Sequence, residues 1–292
     1  RPGIRRRCSI VAAKNPNVVF QLINSAEADT RDTIAAEAKA TGLTIPILDD
    51  EHQLIGNSLG FTYAGEAVIV DPKKNFEIVY HGPADTIETA LTDVVAGKAP
   101  ATAEVMAVKG TKLVFADRGK EAEFAKISYS NDVVPILMAK CVDCHQPNGI
   151  APWHMTNYTQ VKTFAPMIRE AIRRDRMPPF DADNHYRAFA KNENLSAEET
   201  KTLVHWIEAG APSDIAEGGE DPLVKGVAGR PDWPLGEPDL VVSIPAYDVP
   251  AAGVVDYQIP AVKSPLTEGK WLKATTFKPG NRQGVHHILA GW

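Results

Sequence analysis

The spacing of apolar positions changes along the chain, and the changes divide it. From residue 17 to 98, short apolar runs alternate with amphipathic stretches. Val18 to Ile23 predicts a strand and the Ala/Glu/Lys-rich Thr30 to Ala40 a helix, with Gly42 standing where a left-handed residue would stop it. Ile45 to Leu48 predicts a short strand and His52 to Leu59 a short helix ended by Gly60. Glu66 to Val70 and Phe76 to Tyr80 read as strands around the turn chemistry of Asp71-Pro72-Lys73-Lys74-Asn75, and a helix from Ala84 to Ala96 follows. Elements in that order predict an α/β domain over residues 1–100, its sheet covered by helices.

Residues 101–127 read as a connector with an extra hairpin, Glu104 to Val108 and Lys112 to Phe115 around Gly110. From 128 to 215 the period becomes helical. Asn131 or Asp132 is the expected cap of a first helix with Val133, Val134, Leu137 and Cys141 on one face, Pro135 falling in its first turn. A second helix, Tyr158 to Arg174, places Val161, Phe164, Ile168, Ala171 and Ile172 together and ends before Pro178-Pro179. A third opens on the capping box Ser196-Ala197-Glu198-Glu199, carries Leu203, Trp206 and Ile207, and stops at Gly210. Three helices in so short a stretch predict an all-α domain. Gly and Pro make residues 216–235 a linker. Over 236–292 the strand-like pieces Leu240 to Ile244, Val254 to Ile259, Trp271 to Thr276 and His286 to Leu289 predict the beginning of an all-β unit.

Composition narrows the function. A chain of 292 residues, 44% apolar, can build two or three ordinary cores. It contains no uninterrupted apolar run of the roughly 18 to 20 residues that a membrane-spanning helix requires. The net charge of -6 argues against a nucleic-acid partner, and Arg5, Arg6 and Arg7 read as a solvated helix face. No signal peptide is visible after the basic start, and the last residues read as a strand in progress, so a fragment of a longer polypeptide is expected.

Two of the three cysteines lie in Cys141-Val142-Asp143-Cys144-His145. Two thiols on one helical turn can each add to a vinyl group along one edge of a porphyrin, and the histidine that follows can bind its iron. The competing chemistries are a zinc half-site, which needs a second ligand pair, and a dithiol redox pair, which has no use for the histidine. No second cysteine pair exists, so covalent haem c, held by Cys141, Cys144 and His145, is the reading of this motif. For the sixth iron ligand, Met138 lies one turn before Cys141 on the same helix, Met106 belongs to another unit, Met167 reads as core, and Met155 follows His145 closely. Met177, on a loop stiffened by Pro178 and Pro179, is the preferred candidate; His154, His185 and His205 are the alternatives.

Residues 128–213, with CVDCH, GIAPWHM, RMPPF and LSAEETKTLVHWIEAGAP, resemble class I cytochrome c domains of multidomain bacterial redox proteins. In that family the distal methionine precedes the last helix, which corresponds to Met177. Residues 1–100, through Pro46 to Asp50, Gly60-Phe61-Thr62 and Glu66 to Asp71, resemble the redoxin branch of the thioredoxin fold. The redox cysteine of that family would fall at or before residue 1, and Gly65 stands where its cis-proline belongs. Both departures imply a redox-inactive domain. Cys8 accordingly reads as a small residue buried on a helix face, the alternative being a peroxidatic or resolving thiol. From Gly236 to His287 the chain resembles the start of a copper type II ascorbate-dependent monooxygenase domain, which implies copper at His286 and His287, with further ligands beyond residue 292.

The expectation is therefore a multidomain protein: a thioredoxin-like α/β domain, a cytochrome c domain and a partial all-β segment. Its expected function is electron transfer with redox protein partners in the periplasm or outside the cell. The alternatives are a copper-dependent monooxygenase fed by the haem and an interaction subunit of a larger redox assembly.

Overall fold

The computed structural model describes residues 2–105, 109–180, 182–183, 186–190 and 192–291, with side chains from residue 8 onward. The chain divides into two compact units, Arg1–Ala122 and Glu123–Trp292. Among the described residues no helix is long and apolar enough to cross a membrane.

Unit 1 runs α1 (Pro2–Lys14), β1 (Leu22–Asn24), α2 (Arg31–Thr41), β2 (Ile47–Asp49), α3 (Leu54–Ser58), β3 (Glu66–Asp71), β4 (Glu77–Pro83) and α4 (Ile87–Val95). Thr30 caps α2 by accepting from the Thr33 amide, and Gly42 closes the helix at φ 61°. Strand β1 pairs with β2 in parallel, and β3 with β4 antiparallel with a bulge at Ile69/Val70. The pairs remain two separate two-stranded sheets, where the sequence suggested one. Strands as short as β1 and β2 offer few ladder bonds with which to extend a sheet. Val11, Ile69, Tyr80, Ala90 and Leu91 form the core.

The expected hairpin between Glu104 and Phe115 is absent among the described residues, and its Val108 end lies outside them. Each arm pairs elsewhere: Val105 N–H donates to the His81 carbonyl at 2.9 Å, and Leu113 N–H to the Thr62 carbonyl at 2.8 Å. Cys8 is half-buried, and burial pushes its thiol up, against the thiolate that thiol chemistry requires.

The one-turn helix α5 (Glu121–Phe124) lies at the boundary between the units. Unit 2 then runs through a π-turn (Tyr129–Val133) into α6 (Val134–Lys140), followed by α7 (Tyr158–Arg173), α8 (Ala197–Glu208) and α9 (Pro222–Ala228). Ser128, rather than Asn131 or Asp132, starts the first helical segment, its hydroxyl accepting from the Asn131 amide. Asp214 draws that start toward the far end of the domain through hydrogen bonds from Ser128 and Ser130. The apolar faces pack as their spacing implies: Val133, Val134 and Leu137 with Val161, Ala165, Ile168 and Ile172 of α7 and Leu203, Val204 and Trp206 of α8 are all buried. The capping box of α8 forms as expected, with Ser196 and Glu199 each serving the other's amide.

The stretch expected to be linker is partly structural. Asp221 caps α9, Leu223 is fully buried, and Asp221 also accepts from the Tyr129 hydroxyl at 3.1 Å and the Tyr158 amide at 2.5 Å. Beyond it, residues 236–291 contain no strand among the described residues, only a 3-10 turn at Arg282–Gly284. The alternation there marks two faces but supplies no pairing partner. Val254, Trp271 and Leu289 are accordingly almost wholly exposed.

Candidate haem attachment site

Helix α6 ends at Cys141, whose amide still donates to Leu137 at 2.9 Å, and the chain then makes one further turn. Cys144 and His145 amides both donate to the Cys141 carbonyl, at 3.2 and 3.0 Å. Cys141, Cys144 and His145 thus share a turn because the spacing of three and four residues is that of a helix. The loop that follows folds back on it: Ala151 N–H reaches the Cys144 carbonyl at 3.0 Å, and Met155 N–H reaches the His145 carbonyl at 2.7 Å. Gly149 permits this return, since a Cβ there would lie 2.2 Å from the Cys144 carbonyl oxygen.

The return brings the Trp153 carbonyl to 2.9 Å from His145 Nδ1. A carbonyl only accepts, so the proton sits on Nδ1 and the lone pair on Nε2, the tautomer a metal-ligating histidine needs. Burial holds the imidazole below its ordinary 6.5, against the pull of the carbonyl and with His154 adding to the effect, which favours the neutral form that can ligate a metal. Burial, with the charges of Cys144 and Glu199, pushes the Cys141 thiol up to about 12. Both cysteines are free and half-buried.

No family model matches the chain. No curated protein matches it either. A solved structure that does align is a hypothetical protein from Sinorhizobium meliloti 1021, 23% identical, over 38% of this chain and 69% of its own, with a TM-score of 0.34. A likeness at that score carries no argument about fold or function.

The site therefore rests on its own chemistry. Zinc would require its ligands to converge within about 2.0–2.3 Å of one point. Among the described residues no three His, Cys, Asp or Glu side chains converge in that way, the motif's own three included. A porphyrin makes no such demand, because its thioether positions lie at the ring edge while the histidine meets the iron at the centre. The neutral imidazole with Nε2 uncommitted and the two free thiols on the same turn suit that group.

The candidates for the sixth ligand are spread out. Met177 follows α7 and is 43% exposed. Met155 is buried and its amide is bound to His145, on the histidine's own side. Met138 packs against α9, where a Cβ on Gly226 would meet its sulfur at 3.0 Å. Met167, expected in the core, is 53% exposed on the outer side of α7. His154 is exposed, and His205 is buried, stacked on Phe124 at 3.8 Å with Nδ1 3.4 Å from Glu208. Met106 and His185 lie outside the described residues. His286 and His287 are exposed next to a turn rather than on a strand, their rings 4.1 Å apart.

Several contributors were missed in the sequence. The Trp153 indole packs on the His145 ring, and Arg230 forms an ion pair with Asp143 between the two cysteines. Trp153 follows Pro152 in a loop that had to return to the motif, which is a usable signal. For Arg230, 87 residues beyond Asp143, there was none.

Proposed function

We propose that residues 123–230 form a c-type haem domain and that the protein carries single electrons between redox protein partners outside the cytoplasm. In this reading Cys141 and Cys144 would hold the haem through thioether bonds, and His145 Nε2 and Met177 would ligate its iron. The observation that carries it is the turn on which two free thiols and a neutral, correctly tautomerised histidine sit together without converging on a single point. When bound, the haem would supply a one-electron iron couple. The chain's own residues do the rest: Trp153 orients the histidine through its carbonyl, and Gly149 lets the loop close. Leu137, Leu203 and Trp206 are buried in the core of the domain that presents the motif.

Residues 1–100 fit a supporting rather than a catalytic role, because Cys8 has no cysteine partner and its thiol is disfavoured as thiolate. Copper at His286 and His287 draws no support from a third ligand among the described residues. The test is expression of the full chain in an exported, haem-competent compartment, followed by denaturing electrophoresis and haem staining. The stain should stay with the chain and vanish in the Cys141→Ser, Cys144→Ser variant. An unstained parent chain would refute the reading.

A further inference from the structure

Trp153 touches His145 twice. Its carbonyl holds Nδ1, and its indole packs against the imidazole face with centroids 4.5 Å apart and planes inclined at 56°. The indole also stacks on Phe164, at 4.2 Å and 25°. Phe164 belongs to α7, whose neighbouring Val161, Ala165 and Ile168 are buried in the domain core. The three rings therefore form a contiguous chain, stacked between Phe164 and Trp153 and tilted between Trp153 and His145, that runs from a core-anchored helix to the proposed iron ligand.

The two contacts restrain different motions. A single hydrogen bond fixes the tautomer and the direction of Nδ1 but resists tilting of the ring plane only weakly. A large, rigid side chain packed beside the ring opposes that tilt, because rotation of the imidazole toward it closes the gap to atoms already in contact. His145 is itself only 8% exposed, and a hydrogen bond shielded from solvent is electrostatically stronger.

We propose that the Trp153 indole, backed by Phe164, is a positioning residue that sets the plane of the His145 imidazole and shields its Nδ1 proton from water. The proposal rests on the haem reading above and extends it to a residue that acts through His145. The imidazole plane determines how the ligand overlaps with the iron orbitals, so a change of plane is visible in the spectrum of the ferric state.

The experiment uses the haem-loaded full chain and its Trp153→Leu, Trp153→Phe and Phe164→Leu variants. Electron paramagnetic resonance reads the spread of g values, and NMR reads exchange of the His145 Nδ1 proton together with the Val161 and Leu203 amides. Trp153→Leu should change the g spread and speed Nδ1 exchange by about tenfold or more, with both core amides keeping their protection. Trp153→Phe retains a ring and should stay near the parent. Phe164→Leu leaves the indole in place but unbacked, and should move both readouts in the same direction by less. Unchanged g values and Nδ1 exchange in Trp153→Leu would overturn the proposal, as would faster exchange matched by equal loss at Val161 and Leu203. If Trp153→Leu fails to fold, an unchanged g spread in Phe164→Leu overturns it. A parent chain without covalent haem removes this proposal together with the haem reading, whereas a loaded parent with silent variants removes this proposal alone.

Discussion

Replacing Asp221 by Ala removes three hydrogen bonds from one carboxylate: the α9 cap to Leu223 at 2.9 Å, the Tyr129 hydroxyl at 3.1 Å and the Tyr158 amide at 2.5 Å. Losing the cap costs about 1 kcal/mol. Tyr129 is fully buried, and burial together with the Asp221 charge pushes its hydroxyl well above the ordinary 10, so it remains a donor left without its acceptor. That orphaned group costs about 2 kcal/mol more and the half-buried Tyr158 amide about 1 kcal/mol, so the substitution should weaken unit 2 by about 4 kcal/mol. Asp221→Asn keeps an acceptor oxygen and should lose only about 1 kcal/mol. Native-state hydrogen exchange at the Leu203 and Trp206 amides measures this unit by itself. A loss below about 1 kcal/mol at those amides, or one confined to residues 222–228, would show that α9 is an appendage and refute the argument that the domain extends past residue 215.

Gly149→Ala forces a Cβ against the Cys144 carbonyl, and should sharply reduce covalent haem per chain; a normal haem content measured by absorbance would contradict the close approach. Leu137→Ala, at a site 1% exposed, should destabilise unit 2 by about 2–5 kcal/mol in denaturant unfolding. Asp214 is pulled up by burial but pulled down further by the Ser128 and Ser130 hydrogen bonds, leaving its carboxyl below the ordinary 3.8. Its contribution is therefore complete above that value and is lost as pH falls through the lower folded value. Because the group is exposed, Asp214→Asn should lower stability by no more than about 1 kcal/mol at pH 6 and by progressively less as pH falls and the parent carboxyl takes up its proton, as melts over a series of pH values would establish. Met177→Ala should abolish the sulfur-to-iron charge-transfer band of the ferric protein; a persisting band would assign the ligand to another methionine.

The helices were legible where local chemistry decides them. Thr30 and Gly42 bracket α2, and Ser196 with Glu199 opens α8, because caps and left-handed stops act within a few residues. The motif Cys141-Val142-Asp143-Cys144-His145 was legible for the same reason: its spacing is its geometry. Features set by distant partners were not. Helix α9 sits in a Gly- and Pro-rich stretch that resembles linker, and it is fixed by Tyr129, 92 residues earlier. The alternation around Glu104 and Lys112 identified extended chain but not its partners, which proved to be His81 and Tyr63. The same limit applies after Gly236, where an alternating pattern meets no neighbouring strand. Met167 was read as core from helical spacing, yet the buried face of α7 runs through Val161, Ala165, Ile168 and Ile172 and leaves it outside.

Mass spectrometry of the full chain from an exported, haem-competent host, with digestion to the peptide containing residues 141–145 and iron counted per chain, tests the central claim most directly. One iron per chain and one haem joined through both Cys141 and Cys144 are expected. A peptide free of haem, with its two sulfurs joined to each other or bound to zinc, would contradict it.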